Sequence, residues 1–576
     1  MSDNNNSWIQ LIPYGGADTV TGSCYLIKVT AFEREEYYMV DCGLFSDKNN
    51  KRLNTNIAEL ASKVKAIFVT HAHIDHIGRL PYFYKMGYRG PIYATTPVIE
   101  LADIMLTDSA RIQESDTLHT LKKLKLTDKY IISLAGLEPL YTVKEAVNVQ
   151  EQFVSVDRGR VMRISDCLEV CFYNAGHSVG SCSIMMTFYN GEESYRIYFS
   201  GDIGENNVIL KQRRDSMKSN VDFVVVESTY ADRLHRNREE SWEELREATA
   251  TALVKGGNVI FPVFAVGRTQ EVLYCYYNDM QERNDWISDI FRSTPVYVDS
   301  TMAVLATHKF KGFKEEFKSS VVKRLKNDEN PFSFQNLNMI LDVEDSKKVI
   351  AEKHNYVVFS AAGMCNAGRV LYHLEKDISN PDSVIIFTGF QAEGTLGRQI
   401  IDGNPFIKIH GKSYKVRAKV VGINAFSAHA DQDGLIRWLK RIEPGYNLFI
   451  GHGEPEPQKK LRDVLIKENI VADNQVELMA FGKIYNLYKG GYEVSNFVVP
   501  LNKKADSKAY KKSGNKKRFQ TIERLKDIIA GISVDIWDPE VVQVIADLEH
   551  EVRNIKRVNG KETKPNKSRK AGRRPA

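Results

Sequence analysis

Four side chains that commonly bind metal ions fall within the six-residue motif HAHIDH, as His71, His73, Asp75 and His76. Imidazole nitrogens and carboxylate oxygens are ligands that a borderline cation such as Zn²⁺ prefers. The apolar run AIFVT, typical of a strand, comes directly before them at residues 66–70. Because a helix would point residues two apart to opposite sides, we expect these ligands on a strand-to-helix loop. The motif predicts a metal site, in outline a dinuclear one.

Further candidate ligands follow other apolar runs, each where a strand would end. They are Asp41, His177, Asp202 and His452. Ligands and catalytic groups in open α/β sheets collect beyond the carboxyl ends of strands, so we expect these side chains to converge. Taken singly, a buried hydrogen-bonding Asp or a surface His is the commoner case. Together with the HAHIDH motif they predict one shared metal site.

The elements that must position these residues have an α/β pattern. Short strands rich in Val, Ile, Tyr and Phe run from residue 8 to about 225, with helical stretches near 97–114 and 120–127. From about 230 to 420, apolar strands alternate with helices, which favours a second α/β domain with a mostly parallel sheet. Short strands return from about 423 to 500.

Composition limits the class of protein. The chain has 576 residues, of which 43% are apolar and 26% charged, as in ordinary globular proteins. It has no apolar run of the roughly 20 residues that a membrane span needs. Its seven cysteines include no CxxC pair, so neither a disulfide framework nor a Cys-based zinc site is expected. The first residues contain no secretory signal, and we expect a cytoplasmic protein without a membrane partner.

The C-terminal part of the chain is basic. Residues 501–576 hold 20 Lys and Arg against 10 Asp and Glu, while the rest of the chain is nearly neutral. We expect a basic linker at 501–517, a helical extension at 518–557 and a basic disordered tail at 558–576. Such a tail is usually only solvated, but it could contact RNA or a ribosome-like polyanion. An apolar stripe that begins at Val541 packs on the preceding helix or forms a homodimer contact.

These motifs also carry a family resemblance. Asp41, the HAHIDH motif, His177 and Asp202 resemble the four signature motifs of the metallo-β-lactamase fold. Glu227 in VESTY, His429 in FSAHAD and His452 in GHGE resemble the β-CASP nucleic-acid-processing branch. The stretches 264–271, 363–369 and 389–398 are similar to that branch as well. More narrowly, residues 8–490 resemble prokaryotic relatives of the eukaryotic pre-mRNA 3′-end cleavage endonuclease.

The resemblance implies a fold and a set of ligands. The fold is a metallo-β-lactamase αββα sandwich built from residues 1–225 and 423–500, with a β-CASP domain inserted at 226–422. Two Zn²⁺ ions are implied. His71, His73 and His177 would bind one zinc, Asp75, His76 and His452 the other, and Asp202 would bridge them. Asp41 would not bind zinc itself but would orient a ligand or the bridging water.

The same resemblance implies a zinc-dependent ribonuclease that hydrolyses phosphodiester bonds within single-stranded RNA. The attacking group would be a hydroxide activated by the two metal ions. Asp75 and Asp202 would serve catalysis as ligands, and His429, held by Glu227, would protonate the leaving oxygen. Arg268, Arg369 and Arg398 would either bind backbone phosphates or form salt bridges that pack the domain. RNA processing or decay is the expected context.

Three alternatives stay open at this point. An exonuclease could use the same site. A small-molecule metallohydrolase acting on thioesters or lactams could share the ligands, although it would not need an insertion of this size. A non-catalytic RNA-binding scaffold would be expected to have lost ligands, and here all seven are present.

Overall fold

The computed structural model describes residues 7–497, except 48–49, 124–136, 206–213, 216–219, 327–328, 390, 392–393, 424 and 444. The linker, helical extension and basic tail predicted for 501–576 therefore lie outside the described residues. The chain divides into two compact units, residues 1–109 with 144–499, and residues 110–143 with 500–576. All candidate site residues belong to the first unit.

The first segment is rich in strands. Its strands are β1 Ile9–Gly15, β2 Cys24–Ala31, β3 Arg34–Val40, β4 Val64–Phe68, β5 Ile92–Ala94, β6 Phe153–Ser155, β7 Met162–Ser165, β8 Leu168–Asn174, β9 Cys182–Tyr189, β10 Ser194–Phe199 and β11 Phe223–Val226. Its helices are α1 Ile74–Ile77, α2 Leu80–Lys85, α3 Thr96–Lys123 and α4 Val143–Asn148.

The middle segment alternates helices with strands. Its helices are α5 Arg238–Val254, α6 Arg268–Glu282, α7 Trp286–Ser293, α8 Thr301–Phe310, α9 Ser319–Lys326, α10 Val343–Ala351, α11 Val370–Asp377 and α12 Leu396–Ile401. Its strands are β12 Val259–Pro262, β13 Val296–Asp299, β14 Leu337–Ile340, β15 Val357–Ser360, β16 Val384–Phe387, β17 Phe406–Ile409, β18 Lys412–Lys415 and β19 Lys419–Gly422.

The last segment completes the first. It contains α13 Gln432–Leu439, β20 Asn447–Ile450, α14 Pro455–Lys467, β21 Val476–Leu478, β22 Lys483–Tyr488 and β23 Gly491–Asn496. β20 runs parallel to β11, with Phe223 opposite Asn447, and β22 runs antiparallel to β1, with Ile9 opposite Leu487. The chain thus returns to the sheets of the first segment after the middle segment has been inserted.

Two facing sheets enclose the main core. Their strand orders are β23-β22-β1-β2-β3-β4-β5-β6 and β21-β20-β11-β10-β9-β8-β7. Apolar side chains of both sheets meet between them, including Ile27, Phe68, Phe172 and Phe199. On the outer face of the second sheet, α13 and α14 bury residues such as Trp438 against Tyr198, because each helix is apolar along one side only. The predicted fold class, an αββα sandwich with an inserted α/β domain, is confirmed.

The inserted sheet is fully parallel, in the order β14-β13-β15-β12-β16-β19. Helices α5 to α8 pack on one face of it, and α10 to α12 pack on the other. Its inner strands are short, largely apolar runs buried on both faces, as in VIIF of β16, whereas the edge strands β14 and β19 are partly exposed. Asn237 caps α5 by accepting a hydrogen bond from the Glu240 N–H at 3.1 Å.

One sequence-based boundary was wrong. The two helical stretches expected near 97–114 and 120–127 form a single helix, α3, as far as Lys123, and residues 124–127 are not described. The polar residues between the two stretches are tolerated because solvent-facing positions of a long helix need no apolar side chain. Among the described residues, no helix is long and apolar enough to cross a membrane.

Candidate metal centre

The HAHIDH motif begins two residues after β4 ends. His71 and His73 lie on the loop, as the sequence predicts. Asp75 and His76 differ from that expectation, because they lie in α1, a single helical turn for which His73 is the N-cap residue. Such a short turn aims neighbouring side chains in a spread of directions, and it allows one motif to supply ligands to two positions.

Three imidazole nitrogens form the first cluster. His73 Nδ1 lies 2.9 Å from His71 Nε2 and 3.2 Å from His177 Nε2. Oδ2 of Asp202 lies 3.4 Å from His71 Nε2 and 3.5 Å from His177 Nε2. Nitrogen ligands about 2.0–2.1 Å from a tetrahedral zinc would lie about 3.3 Å from one another. The spacing of these four side chains therefore fits one zinc ion.

The second cluster lies on the other side of Asp202. His76 Nε2 lies 3.1 Å from His452 Nε2, and Oδ2 of Asp75 lies 3.8 Å from each of these two nitrogens. Oδ1 of Asp202 lies 3.3 Å from His76 Nε2 and 3.4 Å from His452 Nδ1. One carboxylate thus turns one oxygen toward each cluster. All seven residues named as ligands from the sequence come together here, each on a segment that follows a strand.

The surroundings of Asp202 indicate whether these residues are suited to binding a metal ion. Its side chain is buried, and within the described part of the chain neither carboxylate oxygen accepts a hydrogen bond. A buried carboxylate without donors is costly, because it has lost its water and gained nothing in exchange. Cations at the two clusters would supply the missing positive charge. The donor set is therefore that of a metal centre.

The electrostatics of the clusters point the same way. Burial lowers the pKa of His71 well below its ordinary value and that of His73 to about 4, so both imidazoles are neutral and able to act as ligands. At His76 burial also lowers the pKa, but the carboxylates of Asp202 and Asp41 outweigh it and raise the pKa well above the ordinary value. That position favours positive charge.

Asp41 lies behind His76. Its Oδ2 accepts a hydrogen bond from His76 Nδ1 at 2.7 Å, which leaves Nε2 turned toward the second cluster. Thr70 donates its backbone N–H to Oδ1 at 2.8 Å and its hydroxyl to Oδ2 at 2.9 Å. A carboxylate that fixes a ligating imidazole in this manner is common in metal sites. Thr70 was not identified from the sequence, and its place directly before His71 is the one signal that could have found it.

Glu227 and His429 form a pair at the edge of the site. The two oxygens of Glu227 lie 3.2 and 3.0 Å from His429 Nδ1, and Oε1 accepts the Ile203 N–H at 2.6 Å. His429 Nε2 points toward the clusters, 3.8 Å from Asp202 Oδ2. The His429 side chain keeps 20% of its surface exposed, whereas Glu227 is buried. Burial lowers the pKa of His429, but Glu227 and then Asp202 outweigh it and raise the pKa to about 9.

The three arginines named from the sequence have different surroundings. Arg369 donates to Asp299 Oδ1 at 2.9 Å and to two main-chain carbonyls, so its guanidinium is engaged within the inserted domain. Arg398 is largely exposed and pairs with Asp402. Arg268 is buried in the first turn of α6, 3.9 Å from Glu271. Its Nε and Nη1 atoms have no hydrogen-bond acceptor among the described residues.

One contact joins the inserted domain to the loop that carries His177. Glu316, which follows α8, accepts hydrogen bonds from Arg158 Nη2 at 2.9 Å and from the Gly180 N–H at 3.1 Å. This Glu316 bridge links the inserted domain to the loop that carries His177. The sequence gave no sign of it, because Glu316 stands in an ordinary charged stretch.

Comparisons with known proteins agree with this geometry. A model of the metallo-β-lactamase superfamily matches residues 17–86, and one of the β-CASP domain matches residues 269–400. A model described as a Zn-dependent metallo-hydrolase RNA specificity domain matches residues 413–473.

Among relatives, a ribonuclease of Thermus thermophilus is 31% identical over 477 residues, which span 82% of this chain and 99% of the relative. The transcription termination factor FttA of Methanocaldococcus jannaschii is 28% identical over 458 residues, 78% of this chain and 67% of that protein. An RNase J-like protein of the same organism is 29% identical over 448 residues, 77% of this chain and 91% of the relative.

Proposed function

Because the chain belongs to the β-CASP family of metallo-β-lactamase-fold hydrolases, a family with members named ribonucleases, we propose that it is a zinc-dependent endoribonuclease that cuts single-stranded RNA. RNA processing or decay in the cytoplasm is part of this proposal. The observation that carries it is the position of Asp202, whose two oxygens each face one cluster of ligands and accept no hydrogen bond among the described residues.

Two Zn²⁺ ions fit the donor set. His71, His73 and His177 would hold one, and Asp75, His76 and His452 the other. Asp202 would bridge them, because its two oxygens point to different clusters. Asp41 would keep His76 in the tautomer and orientation that a ligand requires. When bound, such a pair of ions activates water for attack and neutralises charge on a phosphodiester.

His429 would supply the proton that the leaving oxygen needs. Its Nε2 faces the clusters, and its Nδ1 is hydrogen-bonded to Glu227. This contact orients the ring and stabilises its charged form, as a general acid requires. Glu227 acts through His429 and does not face the substrate, since it is buried and also accepts the Ile203 N–H.

RNA is the favoured substrate for two reasons. The match at 413–473 is to a domain described by its RNA specificity, and two of the relatives carry ribonuclease names. The insertion also stands beside the metal clusters, where the Glu316 bridge holds it. An inserted domain that covers the metal clusters would leave a cleft that suits an extended single strand better than a duplex. Small esters or lactams would need no such covering domain.

Arg268 is the arginine whose contacts best support a role in binding phosphate. It is buried, and its nearest acidic partner is 3.9 Å away, which compensates its charge only weakly. It also lies in the first turn of α6, the end of a helix whose dipole favours an anion. Arg369 forms an ion pair with Asp299, and Arg398 forms one with Asp402. Their contacts therefore support a role in RNA binding less well than those of Arg268.

The decisive experiment combines metal analysis with cleavage of circular and linear RNA of one sequence. We expect two zinc ions per chain and cutting of the circle, because an endonuclease needs no RNA end. Asp202→Asn should lower both metal content and cleavage, while Asp232→Asn, an acidic residue that pairs with Arg233, is the matched control. A wild-type protein that holds zinc but leaves both RNAs intact would refute the ribonuclease proposal.

Other outcomes separate the alternatives. Cutting of the 5′-labelled linear RNA but not of the circle would identify an exonuclease. Hydrolysis of generic esters without cleavage of RNA would identify a small-molecule hydrolase. Binding of RNA without metal or cleavage would identify a scaffold.

A further inference from the structure

A two-stranded hairpin, β17 and β18, lies on the inserted domain as a sheet of its own. His410 and Gly411, both with positive φ, form the two-residue turn that such hairpins prefer. Ile407 and Ile409 point inward and are buried. The alternate positions form an exposed outer face, made of Phe406, Lys408, Ser413 and Lys415.

This outer face is strongly basic. Residues 403–430 contain five Lys and Arg and no Asp or Glu. The acidic side chain that reaches the hairpin, Glu375, contacts His410, Lys412 and Tyr414. Among the described residues, neither Lys408 nor Lys415 has an ion-pair partner. Surface lysines of folded domains are commonly balanced by nearby acids, so two lysines without an acidic partner on one face favour a polyanionic ligand.

The outer face also carries an exposed aromatic ring. Phe406 keeps 59% of its surface accessible and lies directly opposite Lys415 across the hairpin. Opposite residues on neighbouring strands bring their Cβ atoms to about 4.5–5.5 Å. An aromatic ring beside a lysine is the combination that binds single-stranded nucleic acid, because the base stacks on the ring while the lysine contacts the phosphate. A membrane surface would need more than one apolar side chain here.

The basic positions continue along the chain beyond the hairpin. Arg417 and Lys419 follow Lys415 at intervals of two, and both are exposed. Lys419 begins β19, the edge strand of the inserted sheet. The row of exposed basic side chains therefore extends from the hairpin to the edge of that sheet.

We propose that the outer face of the β17–β18 hairpin binds single-stranded RNA that flanks the cut site, with Lys408 and Lys415 on backbone phosphates and Phe406 stacked on a base. This surface deepens the proposed ribonuclease function and rests on it. It is a second contact for RNA, made by residues other than those of the metal centre.

The test measures RNA binding apart from cleavage. The full chain with Asp202→Asn would be titrated with a fluorescent single-stranded RNA of about 30 nucleotides at several salt concentrations. Each phosphate contact contributes about 0.7 to the slope of log K against log salt. Lys408→Gln/Lys415→Gln should therefore reduce the slope by about 1.4. Phe406→Ala should weaken binding about tenfold and leave the slope unchanged.

The matched control removes two lysines from α10. Lys347 and Lys348 are exposed and pair with Glu344 and Asp345, so Lys347→Gln/Lys348→Gln should leave the salt slope as it is. An unchanged slope for the hairpin variant, or an equal change for the control, would overturn the proposal. The proposal would also be overturned if the hairpin variant lost binding to anionic vesicles but bound RNA as well as the wild type does. Failure of the wild type to cleave RNA would count against the ribonuclease function alone, because binding is measured independently.

Discussion

The most specific prediction concerns Asp41, which touches one metal cluster and not the other. We consider Asp41→Asn, because Asn tolerates the left-handed backbone that Asp41 adopts, with φ of 58°. The carboxylate accepts hydrogen bonds from His76 Nδ1 and from the N–H and hydroxyl of Thr70. An amide has one oxygen, so its NH₂ group must face one of these donors.

The size of the effect follows from those contacts. A buried donor left without an acceptor costs about 1–3 kcal/mol, and a hydrogen bond to a charged group contributes about 1.5–3 kcal/mol. Loss of a carboxylate behind a ligating histidine usually lowers metal affinity about 10- to 100-fold, which corresponds to about 1.4–2.7 kcal/mol. The two estimates agree. We therefore expect the zinc held by His76 to bind about 10- to 100-fold more weakly.

The assay is a titration of metal-free protein with zinc in competition with a chromophoric chelator, fitted with two dissociation constants. One constant should rise by that factor, and the other should change much less, because Asp41 reaches the first cluster only indirectly, through the Thr70 hydroxyl, which lies 3.1 Å from His71 Nδ1. Ser23→Ala is the control, since Ser23 makes the longest of the contacts to Asp41, at 3.3 Å. An equal change in both constants, or in neither, would refute the reasoning.

Three further predictions test other parts of the molecule. His429→Gln should lower the cleavage rate about 10²- to 10⁴-fold with zinc content unchanged, as expected for loss of a general acid, and near-normal turnover would exclude that role. Glu316→Gln removes the charge that bridges Arg158 to the His177 loop, so the KM for RNA should rise several-fold; an unaltered KM would mean that the bridge does not hold the insertion. Asp279→Asn should lower the free energy of unfolding by about 3 kcal/mol in thermal denaturation, because Asp279 is a fully buried partner of Arg246.

The stability prediction has a matched control elsewhere in the same domain. Asp289 pairs with Arg292 at the surface, where an ion pair contributes about 0–1 kcal/mol. Asp289→Asn should therefore leave the unfolding transition within about 0.5 kcal/mol of the wild type. If both variants lost the same free energy of unfolding, burial would not be the reason that the Asp279–Arg246 pair stabilises the domain.

The candidate ligands could be identified from sequence because each follows a strand, and strand ends are local features. Asp41, His177 and His452 stand one to three residues after the ends of β3, β8 and β20. β8 and β20 end at one edge of one sheet and β3 ends in the facing sheet, so the convergence expected from strand ends joins two sheets.

Other features depend on contacts that no local pattern records. Arg369 stands in a Gly-rich stretch that suggested phosphate binding, yet its guanidinium reaches Asp299, 70 positions away. Glu316 has ordinary neighbours in the sequence, and Thr70 is marked only by its place before His71; the roles of both arise from partners that the folded chain brings near. The placement of Asp75 and His76 within a helical turn was also missed, because one turn is too short to have a periodic signal.

The return of the chain to its first sheets has a consequence for the newly made protein. His76 and His452, which meet in the second cluster, are 376 positions apart. At about 5–20 residues per second, synthesis of that interval takes roughly 20–75 s. During this time the emerging polypeptide has most of its proposed ligands but cannot close the second cluster or pair β20 with β11. The proposed metal centre therefore cannot be completed before His452 has been made.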